Sequence, residues 1–246
     1  MPEALLLASK ALFAATGCGA GLRLAQTARR GRIPLHMWAA AMIFVGGLGL
    51  LGFGMGPALA EHTRVGARGL MIAADALERL SLLGLAVFIW HVFARGSPSR
   101  AILLTAVLIA MTASWTYVLL VQRWPEPLLD ASVAVASQLA FAAPFVWSTC
   151  EAALALRLER RELARGRGDA VACNRLLLWT LGSPAFAAIC FATALGALLG
   201  DASPFTAALA TLRAFLYAAL SGIVALAFFP PAAYVRWLAR GAPATC

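Results

Sequence analysis

The chain has 246 residues, of which 62% are hydrophobic and 13% charged, with a mean hydropathy of +0.83 and a formal net charge of +9. Soluble domains run nearer half apolar and a quarter charged, so this composition excludes an ordinary water-soluble fold and asks for lipid-facing surface. Of the 20 basic residues all but Lys10 are arginine, and most lie in short stretches between apolar runs, a pattern that excludes a basic nucleic-acid-binding face.

A helix needs about 20 apolar residues to cross the hydrocarbon core, and seven stretches meet that length. The first covers about 4–24. It is read as a retained helix rather than a leader, because Glu3 precedes it, Lys10 lies within it, and Ala15-Thr16-Gly17-Cys18 is a poor lipobox. Arg29-Arg30-Gly31-Arg32-Ile33-Pro34 separates it from the second, at 35–59. Gly46, Gly47, Gly49, Gly52, Gly54 and Gly56 crowd that second stretch. Small residues let helix backbones approach closely, so a tight contact with a neighbour is expected there, with a backbone-lined passage as the other reading.

Glu61-His62-Thr63-Arg64 leads to the third stretch, at 69–94, and Arg95-Gly96-Ser97-Pro98-Ser99-Arg100 to the fourth, at 100–122. Arg123-Trp124-Pro125-Glu126-Pro127 precedes the fifth, at 131–156. The Arg-rich segment 157–175 follows, then the sixth stretch at 172–199 and the seventh at 204–238, parted by Gly200-Asp201-Ala202-Ser203-Pro204. Glycine and proline at such positions stop helices. Pro184 in the sixth stretch and Pro230 and Pro231 in the seventh free backbone carbonyls and predict kinks, which serve either as gating hinges or simply as bends that shape the bundle. The predicted architecture is an all-α integral membrane protein, a single seven-helix transmembrane domain.

Loop arginines predict the orientation. Fourteen fall in one set of loops and three, Arg64, Arg68 and Arg123, in the other. The Arg-rich side is cytoplasmic by the positive-inside rule, which places the N-terminus outside and the C-terminus in the cytoplasm of a bacterial inner (plasma) membrane. Trp38, Trp90, Trp179 and Trp237 then fall near inner ends, and Trp115 and Trp124 near outer ends, as interfacial belts require. Trp147 lies deeper and reads as a packing residue.

Three basic residues, Lys10, Arg79 and Arg213, and three acids, Asp75, Glu78 and Glu151, remain inside the spans. Intramembrane charges are costly, face the bundle interior and usually pair. At about 1.5 Å of rise per residue Lys10 lies roughly 9 Å below the outer end of its span. Asp75, Glu78, Arg79 and Arg213 fall in the same outer half. Spacings of three and four residues put Asp75, Glu78 and Arg79 on one helix face. Ser114, Thr116, Tyr117, Gln138 and Tyr217 fall at comparable depth. The expectation is an outward-facing polar vestibule with Lys10, Asp75, Glu78, Arg79, Tyr117, Gln138 and Arg213 as solute-binding candidates. The competing reading is a set of structural ion pairs or snorkelling side chains. Glu151, in the inner half of the fifth span, serves as a gate or proton carrier, or pairs with Arg157, or reaches the inner interface.

Cys18, Cys150, Cys173, Cys190 and Cys246 make no CxxC spacing, and no disulfide is expected. His36 and His91 read as interfacial and His62 as a loop residue, so no metal site is expected. Hydrolase, zinc-protease and Walker motifs are absent. In size and topology the chain resembles the microbial rhodopsins, which hold retinal as a Schiff base on a lysine of the last span. The lone Lys10 sits in the first span, which argues against retinal held that way, and no cofactor is predicted.

Three functions stay open. The first is a small transporter or channel for a polar or ionic solute, suggested by the clustered charge. The second is a receptor-like sensor whose 157–175 loop contacts a cytoplasmic protein. The third is an integral membrane enzyme using Glu78 or Glu151 as acid–base groups. The absence of an attached signalling domain favours the first.

Overall fold

A computed structural model gives the fold and describes residues 2–31, 41–50, 67–94, 96–121, 131–200 and 203–239. Every element is a helix, and no strand occurs among the described residues. In chain order these are α1 (Pro2–Gly31), α2 (Ala41–Leu50), α3 (Ala67–Ile89) with a π-helical turn at Trp90–Ala94, α4 (Pro98–Val121), α5 (Ala131–Ala164), α6 (Ala170–Leu199), α7 (Pro204–Phe228) and α8 (Ala232–Ala239). Five of them, α1, α4, α5, α6 and α7, are long and apolar enough to cross a bilayer. The chain is a multi-pass, all-α membrane protein. The remainder of the predicted second span, with Gly52, Gly54 and Gly56, lies outside the described residues, as do His36, Trp38, His62, Arg64, Trp124 and Cys246.

Helix ends follow local chemistry. Asp169 caps α6 by accepting from the Val171 N–H at 2.8 Å, and Gly200 closes it at φ 73°, where a side chain would be strained. Ser203 caps α7, with Pro204 in its first turn, where a missing N–H costs nothing. Three boundaries differ from expectation. The first span continues seven residues past its predicted end at 24, through Arg29 and Arg30 to Gly31. The fifth span continues eight residues past the predicted end, through Arg157, Arg160 and Arg161 to Ala164, since Leu, Arg and Glu favour helix and the charged side chains extend from the surface. The seventh stretch is not one kinked helix but two helices. Pro230 and Pro231 offer no N–H, Phe229 donates to the Ala225 carbonyl at 2.7 Å, and α8 starts afresh. Tyr234 of α8 donates to Asn174 Oδ1 of α6 at 2.7 Å, fixing the short helix against the bundle.

Side-chain pairs set the directions of packing. Cys18 Sγ lies 3.9 Å from the Phe44 carbonyl, and Ser81 Oγ donates to the Met42 carbonyl at 2.7 Å, so α2 runs between α1 and α3. A Cβ on Gly47 would sit 2.7 Å from Cys18 Sγ, and one on Gly49 2.7 Å from the Glu78 nitrogen. At both positions glycine lets two backbones touch, the close approach expected of a small-residue stripe. Ser114 and Tyr117 of α4 bond to Ala136 and Ser132 of α5. Ser148 pairs with Ser183 at 3.0 Å, and the Phe145 and Phe186 rings stack at 4.1 Å, so α5 and α6 are antiparallel. A Cβ on Gly182 would meet Ile223 and one on Gly196 would meet Leu209, making α6 and α7 antiparallel too. Phe13 meets Tyr217 while Arg23 lies over Phe229, so α1 and α7 run parallel, side by side. Helix α4 packs on α3 and α5 at the edge of the bundle. It shows Ile102, Ile109 and Leu120, the last 80% exposed, on the side a bilayer would cover.

Candidate functional site

Helix α3 carries three charges in five residues, and helical phase sends them two ways. Asp75 and Arg79 are four apart and nearly eclipsed, and Arg79 Nε donates to Asp75 Oδ2 at 2.8 Å. Both are buried, with Arg79 only 2% exposed. Arg79 Nη2 donates to Ser137 Oγ of α5 at 2.8 Å, and the guanidinium lies 4.7 Å from the Phe141 ring centre. Its Nη1 is buried and unpartnered. Glu78, about 100° round the helix from Arg79, turns instead toward α2 and α1. Its backbone touches Gly49, and its carboxylate is within electrostatic reach of Lys10. Among the described residues it has no ion pair at contact distance.

Lys10 is half-buried on α1, within electrostatic reach of both Glu78 and Arg213. The register of α1 on α7 explains this. Phe13 and Tyr217 rings lie 5.7 Å apart, and one turn back along each helix come Lys10 and Arg213. Arg213 Nη1 reaches Thr193 Oγ1 of α6 at 3.4 Å, and its Nε is buried without a partner. Lys10, Asp75, Glu78, Arg79 and Arg213 therefore form one polar layer across α1, α3 and α7, completed by Ser137 and Thr193.

One turn beyond that layer the interior is aromatic. Phe13 of α1, Phe145 of α5, Phe186 of α6 and Tyr217 of α7 meet ring to ring at centroid distances from 4.1 to 6.5 Å. Pro144 immediately precedes Phe145, and Pro184 lies two residues before Phe186. The stacked pair is thus carried by the two helices that have an internal proline. No family model, curated protein or solved structure matches this chain.

The other predicted site residues have these surroundings. Tyr117 is 38% exposed on α4 and bonds Ser132 of α5 at 3.0 Å. Gln138 is half-buried and has no hydrogen bond to the charged residues, while its neighbour Ser137 holds Arg79. Glu151 is buried but does not meet Arg157. It pairs with Arg100 at 3.0 Å and accepts from Trp147 Nε1 at 3.1 Å, and Arg100 also donates to the Phe93 carbonyl. This knot ties α4, α5 and the π-turn of α3 together. Pro230 and Pro231 sit in the break between α7 and α8, beyond the site.

Sequence reading missed Ser137, Thr193 and Arg100 as partners, and Phe145 and Phe186 as a layer. A serine or threonine at the depth of a buried charge was the available signal for the first two. The segment 157–175 is shorter as a loop than expected, because only 165–169 lie outside helix. There Glu162 pairs with Arg165 at 2.7 Å and Arg167 at 3.1 Å. Among the described residues no three His, Cys, Asp or Glu side chains gather as a metal site would require.

Proposed function

We propose that this protein is a small transporter or channel for a polar or ionic solute, with the layer of Lys10, Asp75, Glu78, Arg79 and Arg213 as its binding site. The observation that carries this reading is the convergence of five intramembrane charges from three helices, with donors left unused. Purely structural charges in a bilayer would be expected to close on one another. Here Asp75 and Arg79 do so, while Glu78, Lys10 and Arg213 do not.

The reading includes seven spans, an external N-terminus and a cytoplasmic C-terminus, in a bacterial inner membrane. Its support is the alternation of helix directions and the parallel run of α1 and α7. Helix α3, at 23 residues, has the length to span, and its charged groups Asp75 and Arg79 are buried inside the bundle. The polar layer then lies in the outer half, and the aromatic layer beneath it is the barrier. Pro144 and Pro184 are the hinges at which that barrier would yield.

The test is solute flux in proteoliposomes. Glu78→Gln and Arg213→Ala are expected to lower flux at least tenfold in protein that still elutes as a single folded species. Wild-type flux retained by both variants, for every solute that crosses, would refute the proposed site.

A further inference from the structure

The charges at the site do not cancel. Asp75 and Arg79 neutralise one another across 2.8 Å. That leaves Glu78 as the acid within electrostatic reach of Lys10, and Lys10 is also within reach of a second cation, Arg213. Counted over the five residues, the layer carries one positive charge in excess. The buried side-chain atoms left unpartnered at the site are both donors. Arg213 Nε is buried with no acceptor, its Nη1 has a single long bond to Thr193, and Arg79 Nη1 is buried and unpartnered. A guanidinium held inside a bundle without acceptors is expensive. An oxygen-bearing anion supplies both the acceptors and the missing negative charge.

We propose that a small oxygen-bearing monoanion, a carboxylate or an oxyanion, binds between Lys10 of α1 and Arg213 of α7. The excess of one charge selects a monoanion over a dianion. Arg213 presents the planar fork that suits two oxygens of one group, and Lys10 acts as a point charge on its other side. Phe13 and Tyr217, one turn deeper on the same two helices, form the floor of the site and stop the anion from going further. That this anion is also the carried solute rests on the transport reading above, whereas its binding does not.

The experiment is thermal unfolding of the full chain in a neutral maltoside detergent, at fixed ionic strength. Sodium acetate, sodium nitrate and sodium sulfate are titrated in turn against sodium chloride. Acetate or nitrate is expected to raise the unfolding midpoint saturably, by about 5 °C at a hundredfold excess over Kd, and sulfate to raise it less. Arg213→Gln and Lys10→Gln are expected to abolish the rise, and Arg165→Gln, at the surface turn, to keep it. Should the glutamine variants fail to fold, Arg213→Lys keeps the charge and loses the fork, and its Kd for the anion is expected to rise at least tenfold.

The proposal is overturned if no anion shifts the midpoint, if sulfate shifts it most, or if Arg213→Gln or Arg213→Lys responds like wild type. A lipid phosphate offers the same chemistry, so the titration is repeated with phosphatidylglycerol in the micelle. An Arg213-dependent shift from the lipid alone, with none from acetate or nitrate, overturns the free anion as occupant. Failure here is separable from failure of transport. Glu78-dependent flux of a neutral or cationic solute without anion binding keeps the transporter and removes the anion. Anion binding without flux does the reverse.

Discussion

A buried arginine is tolerated only with company, and Arg79 has three companions: a carboxylate at 2.8 Å, a hydroxyl at 2.8 Å and an aromatic face. Removing the carboxylate leaves a buried cation without compensation. Asp75→Ala is expected to destabilise the protein by about 3 kcal/mol or more, read as a fall in the unfolding midpoint in detergent. Replacing Asp75 and Arg79 together by leucine is expected to cost less than the single change, because two apolar groups leave no orphaned charge. A double variant as unstable as the single one would contradict that account. These charges were legible in the sequence because a charge inside an apolar run stands out. Their partners were not. Ser137 and Gln138 differ by one position and about 100° of helix phase, and no property of either residue alone tells which faces Arg79. Glu151 was equally open, since Arg100, 51 positions away, wins it over the nearby Arg157.

At the scale of the helix, glycine can mean contact or nothing at all, and two positions separate these cases. An added Cβ at Gly49 would lie 2.7 Å from one α3 backbone atom and 2.9 Å from another, neither of which can swing aside. A Cβ added at Gly17 would meet no neighbouring atom within 4 Å. Gly49→Ala is therefore expected to destabilise by about 1–3 kcal/mol through overpacking. Gly17→Ala is expected to be neutral or to gain up to about 1 kcal/mol in helix propensity. Unfolding midpoints of the two variants provide the comparison, and a destabilised Gly17→Ala would undo it. Most helices were visible as apolar runs of the right length. Their ends were less so. Helix α5 runs on through its arginines because helix propensity does not end where hydrophobicity does. Helix α7 stops at Pro230 and Pro231 although the apolar pattern continues into α8.

At the scale of the molecule, the arrangement is a bundle in which helices consecutive in the chain alternate in direction and α1 returns to lie parallel beside α7. The class, a multi-pass helical membrane protein, was plain from composition. The ring closure of α1 on α7 was not, because it joins residues about 200 positions apart through ring packing that has no periodic signature. The proposed orientation predicts that a fluorescent protein fused after Cys246 fluoresces in intact bacteria. A cysteine placed at Glu3 is expected to be labelled by an impermeant maleimide from outside, and labelling only after lysis would reverse the topology. The Arg100–Glu151 knot belongs at the cytoplasmic end in this orientation, opposite the polar layer.

As the barrier of the proposed transporter, the rings of Phe13, Phe145, Phe186 and Tyr217 would have an electrical consequence. A water-excluding layer is the stretch of low conductance in a membrane protein, so most of the transmembrane voltage falls across it. On the proposed orientation the polar layer would sit at nearly the external potential. A monoanion passing inward would climb the interior-negative voltage, at about 2.3 kcal/mol for each 100 mV, and one passing outward would descend it. Without a co-transported cation or proton, the four rings would make this site a voltage-driven exit for anions rather than an entrance.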